Sequence, residues 1–246
     1  MDRFIYTAMT GASATMGQEA AVAHNLANAT STGFKAELHR LRAVPVQNAL
    51  MPTRAFVVDA SVQDDLSTGP LQHTNRPFDV AVQGKGWFAV QMPDGTEGYT
   101  REGNFEVSAN GILQTRGGLP VLGNGGPITV PPDVEVAIGV DGTLSTVART
   151  GARNSTSAVD QLKLVNPPEA DLRRGPDGFF RLAAGGAAPA DPAVKVAAGY
   201  LEGSNVNVVE QMVSMISLAR QYEMQTRMLS TAQEMDRSAG QLVAKG

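Results

Sequence analysis

Val208, Met212, Met215, Ala219, Tyr222, Thr226 and Leu229 follow one another at alternating four- and three-residue steps. That rhythm belongs to a helix presenting one narrow apolar seam to a partner helix. Ala232, Met235, Ala239 and Leu242 continue it on a slightly drifted face. The N-terminus repeats it through Ile5, Met9, Ala12, Met16, Ala23 and Leu26, broken once by Glu19. Seams rich in Ala and Met suit close helix-to-helix contact better than a bulky core. Gly11 and Gly17 lie inside the first helix and cost about 1 kcal/mol each relative to alanine. Alone, this helix is marginal; it needs a partner.

Between the two ends the period changes to two. FDVAVQ, WFAVQM, GNFEV, ILQT, EVAIGV, TLSTV, LKLV and FFRLA are short strand candidates between residues 79 and 199. Pro93-Asp94-Gly95, Asn110-Gly111, Asp141-Gly142 and Pro176-Asp177-Gly178 separate some of them with tight-turn chemistry. Turns this frequent predict an antiparallel, meandering all-β domain, and residues 183–193 (AAGGAAPADPA) read as a flexible surface loop. The fold class is α+β, with the N- and C-terminal helices paired like a coiled coil around an all-β antiparallel middle. The expected boundaries are 1–34 for the N-terminal helix, 35–78 for an extended linker or hairpin region, 79–199 for the β domain, and 200–246 for the C-terminal linker and helix.

The stretch HNLANATSTGF, residues 24–34, packs two asparagines, three hydroxyl residues and a glycine around the last seam position, Leu26, with residues 28–33 following it. Its Thr and Ser compete for backbone hydrogen bonds, and Gly33 accepts the left-handed conformation, so the helix stops here. Replacing Gly33 by Val is expected to be worse than replacing it by Asn, which tolerates that region. At the other end, Asn207 is a helix cap with Glu210 three residues on.

Composition narrows the chemistry. The 20 basic and 24 acidic residues of the 246-residue chain give a net charge of -4, which argues against a nucleic-acid stripe. Cysteine is absent, removing disulfides, thiol nucleophiles and zinc thiolates. No stretch approaches the roughly 18 apolar residues of a membrane span. The apolar patch before Ala12-Ser13-Ala14 is too short for a signal-peptide core, and Arg3 is offset by Asp2. Gly84, Gly86 and Ala89 match G-x-G-x-x-A, but a strand follows where a dinucleotide loop must open a helix, so the glycines read as a hairpin pair. His24, His39 and His73 are scattered without metal-ligand spacing. No cofactor and no catalytic group is expected.

Three segments resemble the rod and hook axial proteins of the bacterial flagellum. NLANATSTGFK (25–35) is similar to that family's asparagine-rich motif. RPFDVAVQGKGWFAVQMPDGTEGYTREGNF (76–105) is similar to its β-domain signature, and GYLEGSNVNVVEQMVSMISLARQYE (199–223) to its terminal helix with the preceding L-E-x-S-N-V. MDRFIYTAMTGA and LRAVPV (41–46) look most like the proximal-rod branch; His24 stands where many relatives carry a further asparagine. The resemblance implies a noncatalytic rod subunit that stacks helically with itself and with homologous rod proteins to transmit torque. It also implies delivery by the flagellar type III export apparatus without a cleaved signal, and residence in the rod crossing the periplasm. The helices would line the tube.

On this reading the assembly residues are the two seams and the linking motif. The seams contribute Ile5, Met9, Ala12, Met16, Val208, Met212, Met215, Ala219, Tyr222 and Leu229. The linking motif sets Asn25, Leu26, Asn28, Gly33 and Phe34 against Leu201, Glu202, Ser204, Asn205 and Val206, with asparagine amides satisfying backbone groups. The terminal helices are expected to order only on assembly. Two alternatives remain: a distal-rod or hook protein of the same family, and a periplasmic binding protein or enzyme built on the β domain with helical anchors. Trp87 is the chain's one tryptophan, and clustered aromatics, the mark of a binding groove, are missing from the sequence.

Overall fold

The computed structural model describes residues 2–45, 55–132, 134–148 and 156–243. The chain divides into two compact units: Met1–Ala29 with Ala36–Asp65 and Val206–Gly246, and Thr30–Lys35 with Leu66–Asn205. Two helices packed on each other, with antiparallel sheets between them in sequence, are the architecture expected from the two periods.

The first unit holds α1 (Asp2–Ala27), α2 (Val208–Val243) and an antiparallel hairpin of β1 (Glu37–Pro45) and β2 (Ala55–Asp64). The stop signal works as expected: α1 ends at Ala27, and the Asn28 amide donates to the His24 carbonyl at 3.0 Å. The start signal works too. The Asn207 carboxamide oxygen accepts from the Val209 and Glu210 N–H groups at 3.1 and 3.4 Å. Thr15 meets Gln225, while Gln18, Ala21 and Asn25 line one groove with Gln211, Ser214 and Leu218, so the helices run antiparallel.

The contact that joins the helices lies partly off the apolar rhythm. On α1 the buried side chains are Ala14, Thr15, Ala21 and Asn25, whereas Met9 and Met16 are more than half exposed at 55% and 56%. On α2 the half-buried row is Gln211, Met215, Leu218, Tyr222, Gln225 and Leu229, closed by buried Ala232. Val208, Met212, Ala219 and Thr226 are exposed. Ala12 and Leu26 are half-buried; the side chains of Ile5, Ala239 and Leu242 lie outside the described residues. The reason is compositional. The joining face contains Gly11, Thr15, Gln18, Gln211 and Gln225, which a count of apolar residues skips.

The second unit carries β3 (Leu71–His73), β4 (Val80–Gln83), β5 (Trp87–Gln91) and β6 (Glu97–Thr100). A five-stranded antiparallel sheet runs in the order Leu164–Val165, β5, β6, Phe180–Leu182, Leu172–Arg174. A three-stranded sheet joins Val134–Ile138, Thr143–Ala148 and Thr156–Gln161. Each of the four marked turns links the two strands of an antiparallel pair. Alternation along β5 divides the interior in two. Phe88 and Val90 pack with Val80, Phe105, Leu113, Ile128 and Leu144, while Trp87 and Ala89 pack with Tyr99, Val165, Leu172 and Phe180. Both faces of the strand are buried.

Two expectations need correction. Gly84 and Gly86 are not a hairpin pair: they connect β4, which pairs with Lys195–Ala198, to β5, which pairs with β6. A Cβ on Gly86 would lie 2.5 Å from Val194 Cγ1. The 183–193 segment is anchored rather than loose. Ala188 is 2% exposed and its N–H donates to the Tyr99 hydroxyl at 2.7 Å. Burial pushes that hydroxyl's pKa up to about 12, so it stays protonated.

Candidate functional site

Glu202 is the centre of a buried clasp in the β unit. Its Oε1 accepts from Lys35 Nζ at 2.7 Å and from the Gly69 N–H at 2.9 Å. Its Oε2 accepts from Arg101 Nη1 at 2.8 Å, and its backbone carbonyl accepts from the Gly33 N–H at 2.7 Å. The other ends are also held: Lys35 Nζ donates to the Ser67 carbonyl at 2.6 Å, and Arg101 Nη2 to the Gly84 carbonyl at 2.7 Å. Arg101 lies 5.2 Å from the Trp87 ring centroid. Two cations and one carboxylate thus share a site with essentially no exposure. Such a group persists only when hydrogen bonds occupy its lone pairs and protons, and removing one member strands the others.

Backbone geometry makes the clasp possible. Gly33 has φ +68°, and a Cβ there would lie 2.4 Å from the Arg101 carbonyl carbon and the Glu102 nitrogen. Only glycine allows that approach. Past it, Phe34 packs under the Arg174 guanidinium, which lies 5.0 Å from both the Phe34 and Phe180 rings and donates to the Lys35 carbonyl. The Asn205 N–H donates to the Phe34 carbonyl at 3.4 Å, and its side-chain amide to Ser67 Oγ at 3.1 Å. Ser204 is buried beside this segment in sequence, and Leu201 pairs with Gln72 in β3.

The linking motif therefore splits. Gly33 and Phe34 meet Glu202 and Asn205, whereas Asn25 bonds the Glu37 backbone and the Asn28 amide bonds the His24 carbonyl, both inside the helical unit. Val206 is half-buried at the start of that unit's last segment. Sequence reasoning missed Lys35, Arg101 and Arg174. The first two sat inside motifs already singled out, but nothing in a linear pattern pairs residues 167 apart.

The helical unit offers a different surface. Val209, Val213, Ile216, Met224, Met228 and Met235 are all about half exposed or more. At about 100° per residue they lie opposite the α2 row that meets α1. On α1, Met9, Ser13, Met16, Ala20, Ala23 and Ala27 form an exposed stripe at four-three spacing, opposite its own buried row. Each helix meets its partner through a mixed face of small and polar residues and leaves a largely apolar stripe exposed.

Residues 197–242 match the family described as flagellar basal body rod FlgEFG protein C-terminal, and residues 81–146 match the flagellar hook protein FlgE/F/G D1 domain. Arg101 comes from the second matched segment and Glu202 from the first, so the two meet at the clasp. The flagellar basal-body rod protein FlgF of Escherichia coli (strain K12) is 45% identical over 250 residues, covering 99% of both chains. FlgF of Salmonella typhimurium matches at 45% with the same coverage. FlgF of Caulobacter vibrioides is 32% identical across 100% of this chain and 99% of its own.

The chain belongs to the flagellar basal-body rod protein family.

This is a family of structural, non-enzymatic subunits, and the remaining groups of the rod-family chain sit in structural surroundings. His24 Nδ1 lies 3.1 Å from Glu37 Oε2, and His73 packs against Tyr200 with ring centroids 4.7 Å apart and planes tilted by 44°. His39 rests against Gly17, where a Cβ would lie 2.9 Å from its Nε2. Among the described residues, no group of three or more His, Asp or Glu side chains is placed to hold a metal ion. Asp94, Asp141 and Asp177 have lowered pKa values, the first two chiefly through turn threonines and the third through Arg181. All three lie in tight turns.

Proposed function

We propose that this chain is a structural subunit of the flagellar basal-body rod, in its proximal part. It assembles with copies of itself and with homologous rod proteins, and it reaches the rod through the flagellar type III export apparatus without a cleaved signal. The observation that carries the assembly mechanism is the double-sided character of α1 and α2. One side of each, mixed in character, is spent within the chain, and the more apolar side, with Met9 and Met16 on α1 and Met212, Val213 and Ile216 on α2, is exposed. Apolar area of that extent, presented along helices, suits burial against other helices.

The Lys35–Arg101–Glu202 clasp supports the same reading from the other unit. A subunit that transmits torque needs stiff connections, and a buried, hydrogen-bonded polar network rigidifies the segments it joins. The net charge of -4 argues against a nucleic-acid stripe. No described helix is long and apolar enough to cross a membrane.

A deletion strain complemented with Val213→Asp/Ile216→Asp tests the reading. The expected result is a purified mutant with unchanged helix content, basal bodies whose rods stop short when imaged, and no swimming. Full rods and normal swimming would sink it.

A further inference from the structure

We infer that Asn124 is a modification site: its side-chain amide is lost in water through attack by the next backbone nitrogen. The chain's other Asn-Gly pair, Asn110-Gly111, is shielded from the same reaction by its hydrogen bonds. In the step, the Gly125 nitrogen bonds to Cγ of Asn124, and the side-chain amide leaves as ammonia, taking up the Gly125 N–H proton. Water then opens the cyclic imide at either carbonyl, giving aspartate or its β-linked isomer. No oxidant, metal or partner is needed.

The two pairs are the same dipeptide and differ in what holds the glycine. Gly111 is held on both sides. Its N–H donates to the Ser108 carbonyl at 2.9 Å, and its carbonyl accepts from the Val130 N–H at 2.7 Å. Its φ is +77°, so the tight turn itself calls for glycine. A bonded N–H must be released before its nitrogen can attack.

Asn124-Gly125 links Leu122–Gly123 to Gly126–Pro127, an antiparallel pair. Both linking residues are exposed, and among the described residues the Gly125 N–H has no hydrogen-bond acceptor. Nothing lies within 4 Å of a Cβ built on Gly125, and its φ is outside the left-handed region. The turn therefore does not require glycine there; the missing side chain only leaves the nitrogen open. The restraint on the Asn124 amide is a single exposed bond, Nδ2 donating to Gln161 Oε1 at 3.1 Å.

The product disturbs its surroundings. A carboxylate at position 124 cannot donate to Gln161, and a second acid is close by: Asp160 Oδ2 lies 2.5 Å from the Cβ position of neighbouring Gly123. The β-linked isomer adds a main-chain carbon to a two-residue link, against the Gly123–Gly126 register. Leu122, 8% exposed, sits just before it. The reaction thus replaces a neutral turn by an anionic one beside the apolar interior.

Peptide mapping of the full-length chain after incubation at mildly alkaline pH tests this. Trypsin puts the pairs in separate peptides, residues 102–116 and 117–149, and amide-to-acid conversion changes the mass of each. In the folded chain, conversion at Asn124 should outpace conversion at Asn110 about fivefold or more, the protection that one hydrogen bond supplies. In urea the two rates should become comparable, since the dipeptides are the same. Gly125→Ala fits the turn, so it should leave the melting temperature unchanged while slowing conversion at Asn124 severalfold. Comparable rates in the folded chain, or a faster Asn110, would overturn the inference. So would an Asn124 rate that Gly125→Ala leaves alone, or conversion at Asn124 that appears only in urea.

Discussion

The Lys35 ammonium and the Glu202 carboxylate meet at 2.7 Å across 167 residues of chain, both side chains essentially without exposure. Glu202→Gln keeps the shape but removes the charge that Lys35 and Arg101 face. It should cost about 3–5 kcal/mol, the usual effect of leaving buried charges unpaired. Urea unfolding followed by Trp87 fluorescence measures this. The swap Lys35→Glu/Glu202→Lys should not restore stability, because Arg101 and the Gly69 N–H would then face an ammonium. A loss below 1 kcal/mol would mean that water reaches the clasp.

Gly33 is less permissive than its sequence context suggests. A left-handed turn by itself admits Asn, and Val would be the worse substitution. With the Arg101 carbonyl carbon 2.4 Å from the Cβ position, even Ala collides with backbone. Gly33→Ala, Gly33→Asn and Gly33→Val should therefore all lower the melting temperature of the β unit severely. An Asn variant close to wild type would show that residues 101–102 can move aside.

Met212 and Met215 should behave differently although both lie on the same sequence rhythm. Met215 is half-buried in the row facing α1, whereas Met212 is 50% exposed. Met215→Asp should reduce helix content of the purified chain, measured by far-ultraviolet circular dichroism, since it places a charge in the helix contact. Met212→Asp should leave the spectrum unchanged and abolish motility. Equal loss of helix in both would place Met212 within the pair.

Glu102 offers a pH test with a definite sign. Burial raises its pKa, with Arg116 opposing. A carboxyl whose folded pKa exceeds its unfolded value near 4.3 binds its proton more tightly when folded. Its effect on stability is nil below the unfolded pKa and becomes a penalty as pH rises through the folded value. Glu102→Gln should thus raise the melting temperature at pH 7, with the gain vanishing below about pH 4. A gain that persists undiminished in acid would point to packing instead.

The sequence by itself determined the two terminal helices, the ends they turn towards each other and the turns of the β middle, while the β1–β2 hairpin stayed undecided between linker and hairpin. Period three-and-a-half at both termini and period two between them are local signals, because each follows from the geometry of a single element. The turns at Gly95, Gly111, Gly142 and Gly178 and the caps at Asn28 and Asn207 are local for the same reason: a few neighbouring residues settle them. Family resemblance lay in three linear motifs, and the comparisons bear it out. What only the tertiary structure decided is which side of each apolar helix faces its partner, and which distant charges meet. Met9 and Met16 satisfy the rhythm yet point outward, because Thr15 and Gln225 fill the contact instead. Lys35, Arg101 and Glu202 carry no mutual spacing. They become one site only when the fold removes water from all three, and that removal depends on every strand that covers them.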